Sequence, residues 1–212
     1  MFAVKLTTEW AAWVAILAAP LHRRLAWRLP AVVVGILLAS GRLTVASWWR
    51  ATGVGDRFRS YYYYFLDSLG RKAVELAAVL GGIVLGRIGP GGRLLFAIDD
   101  TPTKRYGPKV QGAGIHHNPT PGPTDSKFLY GHSWVVPSRI ARHEHHGAIG
   151  LPRLGHLYVR KKDVLTFPPS AGISFRTKVQ MAAEQVDWLR SSRATAGRPG
   201  WRGSSGDTIP NF

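Results

Sequence analysis

Leu94, Leu95, Phe96, Ala97 and Ile98 form an uninterrupted apolar run that ends in Asp99 and Asp100, fenced by Gly89-Pro90-Gly91-Gly92 before it and by Pro102 and Gly107 after it. A run of that length between turn residues suits a strand buried on both faces. Such a strand delivers its last residues to a sheet edge. Successive side chains point to opposite faces, so only one of the two carboxylates can enter a given cleft. A carboxylate on a rigid element beside Thr101 is the hard oxygen that a magnesium site needs as its first ligand. Turn chemistry is the competing reading, because Asp accepts backbone hydrogen bonds and tolerates turn geometry.

The rest of the composition bounds what such a sheet could serve. A chain of 212 residues makes one large or two modest domains, and 45% hydrophobic content is enough for a real core. Lys and Arg number 28 against 12 Asp and Glu, a net charge of +16. That imbalance favours a polyanionic partner, nucleic acid or anionic membrane, without choosing between them. No cysteine is present, which excludes a disulfide framework and thiolate zinc sites and is compatible with a cytoplasmic location. The apolar stretch Trp10 to Ala19 has its charges on the wrong side for an export signal, since Arg23, Arg24 and Arg28 follow it. Leu29 to Ala39 is too short to cross a bilayer, and Ala73 to Ile88 carries Glu75, Arg87 and three glycines. These stretches read as core helices, with no stable membrane insertion.

Before the apolar run the pattern is helical, and residues 1–88 read as an all-α region. Trp10, Trp13, Val14 and Leu17 recur at helical spacing until Pro20, and a second helix is expected over Ala31 to Ala39. A short helix with Val45, Trp48 and Trp49, a Gly53-Val54-Gly55 turn, and a helix opened by Asp56 as N-cap resemble a helix-turn-helix. Arg42, Arg50, Arg57 and Arg59 surround it and could meet DNA phosphates. Surface arginines on an ordinary helical hairpin are the plainer explanation. Gly70 separates that helix from another core helix over Arg71 to Ile88, and Gly89 to Gly92 marks the domain junction.

Beyond the junction, residues 93–190 read as a second domain. Pro102 to Asp125 has no hydrophobic period and is expected to be a long loop whose Lys104, Arg105, Lys109, His116 and His117 could edge a DNA channel. Phe128 to Val136 reads as the second strand, and Ala148 to Val159 as a third, interrupted by Pro152 and Gly155. Ser174 is expected to cap a helix to Arg190 with Phe175, Val179, Ala182, Val186 and Leu189 on its packed face. His143, Glu144, His145 and His146 lack helical metal-ligand spacing and read as a solvated turn. Residues 191–212 read as an irregular tail.

The segment from Asp99 through Thr124, with Phe128-Leu-Tyr-Gly-His-Ser-Trp-Val-Val136, resembles the opening of the catalytic domain in DDE transposases of bacterial insertion sequences. The resemblance continues more weakly through Leu151 to Arg190. It implies a ribonuclease H-like α+β domain behind the helical one, with three antiparallel strands and then a helix. It also implies that the Asp immediately before Thr101, Asp100, is the first acidic residue of a metal-binding triad, with Asp99 its non-catalytic neighbour. By the same resemblance the cofactor would be Mg2+ or Mn2+. The partner would be DNA, the ends of a mobile element, with a homo-oligomer assembling on it. In that family a second Asp follows on the next strand and a Glu on a later helix. Here the Gly- and Ser-rich surroundings of Asp207 cannot hold a buried sheet position. The expectation is a truncated transposase, altered by a frameshift after Trp188 and inactive alone. A non-catalytic basic nucleic-acid-binding module is the alternative, and a membrane-associated helical protein is a third class.

Overall fold

The computed structural model describes residues 7–41, 44–54, 59–88, 94–107, 109–123 and 125–196. The chain divides into two units, Met1–Arg87 and Ile88–Phe212. Among the described residues all the strands lie in the second unit, so helices come first and an antiparallel sheet follows. The chain is α+β, with a helical region leading into the strand-and-helix opening of a ribonuclease H-like domain.

In the first unit, helices α1 (Thr8–Leu17), α2 (Arg23–Ala26), α3 (Leu29–Leu38), α4 (Val45–Ala51), α5 (Arg59–Arg71) and α6 (Ala73–Ile88) follow one another in the chain. Thr7 caps α1, its hydroxyl accepting from the Trp10 amide, and Thr44 caps α4 through the Ser47 amide. Pro30 falls in the first turn of α3, where a missing N–H costs nothing, so the helix starts before the proline and not after it. The core gathers Val14, Leu21, Leu29, Val32, Trp49, Tyr62 and Phe65. The Trp49 and Tyr62 rings lie 4.5 Å apart, a separation at which aromatic pairs add to simple burial. Of the four consecutive tyrosines only Tyr62 is buried, and burial raises its phenol pKa. Gly70 does not end α5, which continues to Arg71.

The second unit is organised on one long strand. Strands β1 (Phe96–Lys104), β2 (Gly114–His117), β3 (Phe128–His143), β4 (Gly147–Pro152) and β5 (His156–Tyr158) form a five-stranded antiparallel sheet. One edge of β3 pairs with β1. The other pairs in succession with β2, β5 and β4. Pro137 explains why that second edge is broken. Its carbonyl accepts from the Arg153 amide at 3.0 Å, so its nitrogen, which has no hydrogen, faces the same side, at the gap between β5 and β4. The interruption expected from Pro152 and Gly155 is therefore matched by a proline on the partner strand.

Three sequence expectations change here. β1 is not buried on both faces. Phe96, Ile98, Asp100 and Pro102 are half-buried, whereas Ala97, Asp99 and Thr101 are exposed, the alternation of a strand covered on one side. Nor does β1 stop at the carboxylates, because it runs four residues further to Lys104. Pro102 is tolerated there because it faces Ser133 at a position where the pair does not share ladder hydrogen bonds, leaving the proline nitrogen on the outer edge. The segment expected to be one long loop thus donates the end of β1 and all of β2.

The last element, α7 (Lys178–Ala196), starts later and ends later than the expected helix. Ser174 is not its cap. The Thr177 hydroxyl accepts from the Gln180 amide at 3.2 Å while the Gln180 side chain accepts from the Thr177 amide at 2.8 Å, a reciprocal capping box. The helix is continuous past Trp188 and Arg190, so the first residues assigned to an irregular tail are helical. Its packed face also differs. Val179 is 79% exposed, whereas Met181 and Gln185 are fully buried.

Candidate active site on the sheet face

In an antiparallel pair, residues directly opposite one another share a face. Asp100 lies opposite Val135, which lies opposite His156. One step along, Pro102 lies opposite Ser133 and Ser133 opposite Tyr158. His116 pairs with Leu129 on the same face. The register therefore brings Asp100, Ser133, Tyr158, His116 and His156 to one side of the sheet, the side on which α7 packs. Asp99 points to the other side and is exposed.

Asp100 itself is half-exposed and well held. Oδ2 accepts from the Ser133 hydroxyl at 3.4 Å and is ion-paired with Lys178 Nζ. Lys178 is the first residue of α7, so the capping box of that helix fixes where its side chain begins. Its ammonium also lies 5.3 Å from the centroid of the Tyr158 ring, within cation–π range. Beyond Tyr158, Arg160 is ion-paired with Asp163 and donates to the Ile115 carbonyl at 3.4 Å. Gly114 is what admits that guanidinium, since any Cβ there would overlap it.

The two buried histidines are both neutral near pH 7. Burial lowers the pKa of His116, the charges of Arg160 and Lys178 lower it further, and Asp163 and Asp100 oppose them. Burial also lowers that of His156, with Arg176 in the same direction and Glu184 against it. An unfolded histidine titrates near about 6.5, so below that pH the unfolded chain binds protons that the folded chain refuses. The stabilisation is complete above the unfolded value and is lost as pH falls through the folded ones. The denaturation midpoint should therefore drop between about pH 7.5 and about pH 5.5, and the double variant His116→Gln/His156→Gln should flatten that dependence.

The sequence candidates are dispersed. Lys104, at the end of β1, is exposed and ion-paired with Asp125, which pulls its pKa up and that of Asp125 down. Arg105 is exposed, and its Nε donates to His132 Nδ1 at 3.2 Å. Arg50 is exposed near the end of α4. Arg59 opens α5, and Arg42 and Arg57 lie outside the described residues, as do Asp56, the expected cap, and Asp207. His143 ends β3, and Glu144, His145 and His146 form the exposed turn to β4. Among the described residues no group of three or more His, Asp and Glu side chains is placed to hold a metal ion, and no helix is long and apolar enough to cross a membrane.

Sequence reasoning missed Ser133 and Lys178. Ser133 was signalled by alternation: it is a polar residue between Gly131 and Val135 on the inward-facing row of β3. Lys178 was signalled by the Thr177-x-x-Gln180 capping pattern, which places the helix start beside the sheet and not at Ser174.

A helical region, an antiparallel three-column sheet with a carboxylate on its opening strand, and a helix closing that face define a ribonuclease H-like nuclease class. The family model for DDE superfamily endonucleases matches residues 17–198, and the chain belongs to that family. The match begins within α1, so the helical region is part of the family pattern. No curated protein and no solved structure matches the chain. Members of the superfamily act on DNA and use divalent metal ions. The described residues here do not complete such a centre. Asp100 is neutralised by Lys178, Asp163 by Arg160 and Glu184 by Arg176, and Asp99 faces away.

Proposed function

We propose that this chain serves DNA transposition as a DDE transposase, contributing Asp100 as the first acidic residue of a strand-cleaving and strand-joining centre, and that it does not cleave alone. The observation that carries the reading is the place of Asp100. It lies on the opening strand, on the face closed by the helix that follows the third column of the sheet, within a chain that the endonuclease family model matches over residues 17–198. The second Asp and the Glu of the family pattern have no counterpart beside Asp100 among the described residues.

DNA contact is assigned to Arg42, Arg50, Arg57 and Arg59 in the helical unit and to Lys104 and Arg105 at the end of β1. Each cation that neutralises one phosphate contributes about −0.9 to the slope of log affinity against log salt. Fluorescence anisotropy with a duplex should therefore show steep salt dependence. Arg50→Ala and Arg105→Ala should each flatten that slope by roughly one unit and weaken binding to all sequences alike. Mg2+ should produce no nicking by this chain alone. Salt-insensitive binding, or none at low salt, would remove the DNA reading, while Mg2+-dependent nicking would show the centre to be complete without further acids. Salt-dependent binding that ignores both arginine substitutions would favour a basic module that uses other cations.

A further inference from the structure

A centre that awaits a dication normally gathers carboxylates whose mutual repulsion the metal relieves. The face around Asp100 is arranged in the opposite way. Its carboxylate Oδ2 already receives the Lys178 ammonium and the Ser133 hydroxyl. Lys178 is not a loosely tethered surface cation: its backbone is fixed by the Thr177 and Gln180 cap, and its ammonium also rests against the Tyr158 ring. The next acid along, Asp163, is matched by Arg160. The acids around Asp100 are thus each paired with a cation of the chain itself.

We infer that Lys178 is an internal cation that stands at Asp100 in place of a divalent ion, so that a metal reaches this carboxylate only by expelling the ammonium. This deepens the reading of Asp100 given above, and its significance for cleavage rests on that reading. A fixed ammonium beside the carboxylate both satisfies it and repels an incoming dication. Removing it should tighten divalent-ion binding at this position while leaving the DNA-facing cations untouched. Lys178 is then a positioning residue: it controls whether Asp100 is available, and acts through it.

The test is Mn2+ binding measured by water-proton relaxation on the full chain, compared across Lys178→Met, Lys178→Gln, Lys178→Arg and the double variant Lys178→Met/Asp100→Asn. A dication and an ammonium a few ångströms apart in a water-like medium repel by an energy worth roughly a tenfold change in affinity. Both neutral variants should therefore bind Mn2+ about tenfold more tightly than the parent chain. Lys178→Arg should bind no more tightly than the parent, and the gain should vanish in the double variant. A helix-start role alone would not separate Met from Arg in this way. Unchanged Mn2+ affinity in both neutral variants would overturn the inference, and so would a gain that survives Asp100→Asn. Failure of both neutral variants to fold even with Mn2+ present would overturn it too, since a placeholder is replaceable. None of these outcomes alters the salt-dependent DNA binding expected above, so the two readings fail separately.

Discussion

Gly131→Ala is expected to cost about 3 kcal/mol or more and to remove the cooperative melting transition of the sheet unit. Gly131 sits on β3 opposite Lys104 of β1 and opposite Gly114 of β2. A Cβ added there would lie inside the shell of the Thr103 carbonyl oxygen, 2.9 Å from the carbonyl carbon and 3.1 Å from Lys104 Cα. These are backbone atoms in a paired ladder, so no rotamer change relieves the clash. The end of β1 must peel from β3 instead. Peeling would carry Lys104 and Arg105 away and loosen the strand that holds Asp100 against Ser133. Gly114→Ala is the internal comparison. The three atoms nearest to its Cβ all belong to the guanidinium of Arg160, the far end of a flexible side chain, so its cost should be smaller. Urea or thermal melts followed by circular dichroism read both. A Gly131→Ala midpoint equal to that of the parent would mean that β1 and β3 do not pair in this register.

The gross architecture was legible because it depends on signals that local chemistry dictates. The helical spacing before residue 88, the apolar run leading to Asp100 and the helix after the strands all follow from periodicity. Residues with two defensible local readings were not legible. Pro102 looked like a loop signal, yet an edge strand tolerates proline where the nitrogen faces outward, and this depends on the parity of the β1 and β3 register. Val179 looked like core by hydrophobicity. It is exposed because the face of α7 that meets the sheet is chosen by Met181, Gln185 and Lys178, two of them polar. Hydrophobic periodicity does not reveal a buried glutamine whose partners are the Val135 and Leu154 backbone carbonyls, far along the chain. Lys178 escaped for the same reason, since its partner Asp100 lies 78 residues away in sequence.

Gln185→Glu is expected to be the most damaging single-atom-type change in the sheet unit, with a cost that grows as pH rises. Gln185 is 0% exposed, and its amide nitrogen donates to the Val135 carbonyl at 2.9 Å and to the Leu154 carbonyl at 3.2 Å. Val135 is the last residue of β3 paired with β5, and Leu154 lies in the Arg153 to Gly155 segment that interrupts the ladder, so this side chain ties the two sides of the break together. Gln185→Leu would take the amide donor from both carbonyls, at about 1–3 kcal/mol for each acceptor left unsatisfied. Glu would be worse. Ionised, it would face two carbonyl oxygens with no donor, and burial would push its pKa up from the usual carboxylate range. A carboxyl whose folded pKa is raised keeps its stability below the unfolded value, near about 4.3, and loses it as pH rises toward the folded one. Melts at about pH 5 and about pH 8 should therefore show the Gln185→Glu midpoint falling with pH, while the buried histidines move the parent chain the opposite way. If Gln185→Glu and Gln185→Leu were to melt alike at both pH values, position 185 would not face those carbonyls. The seam between β5 and β4 would then have to be held by other groups.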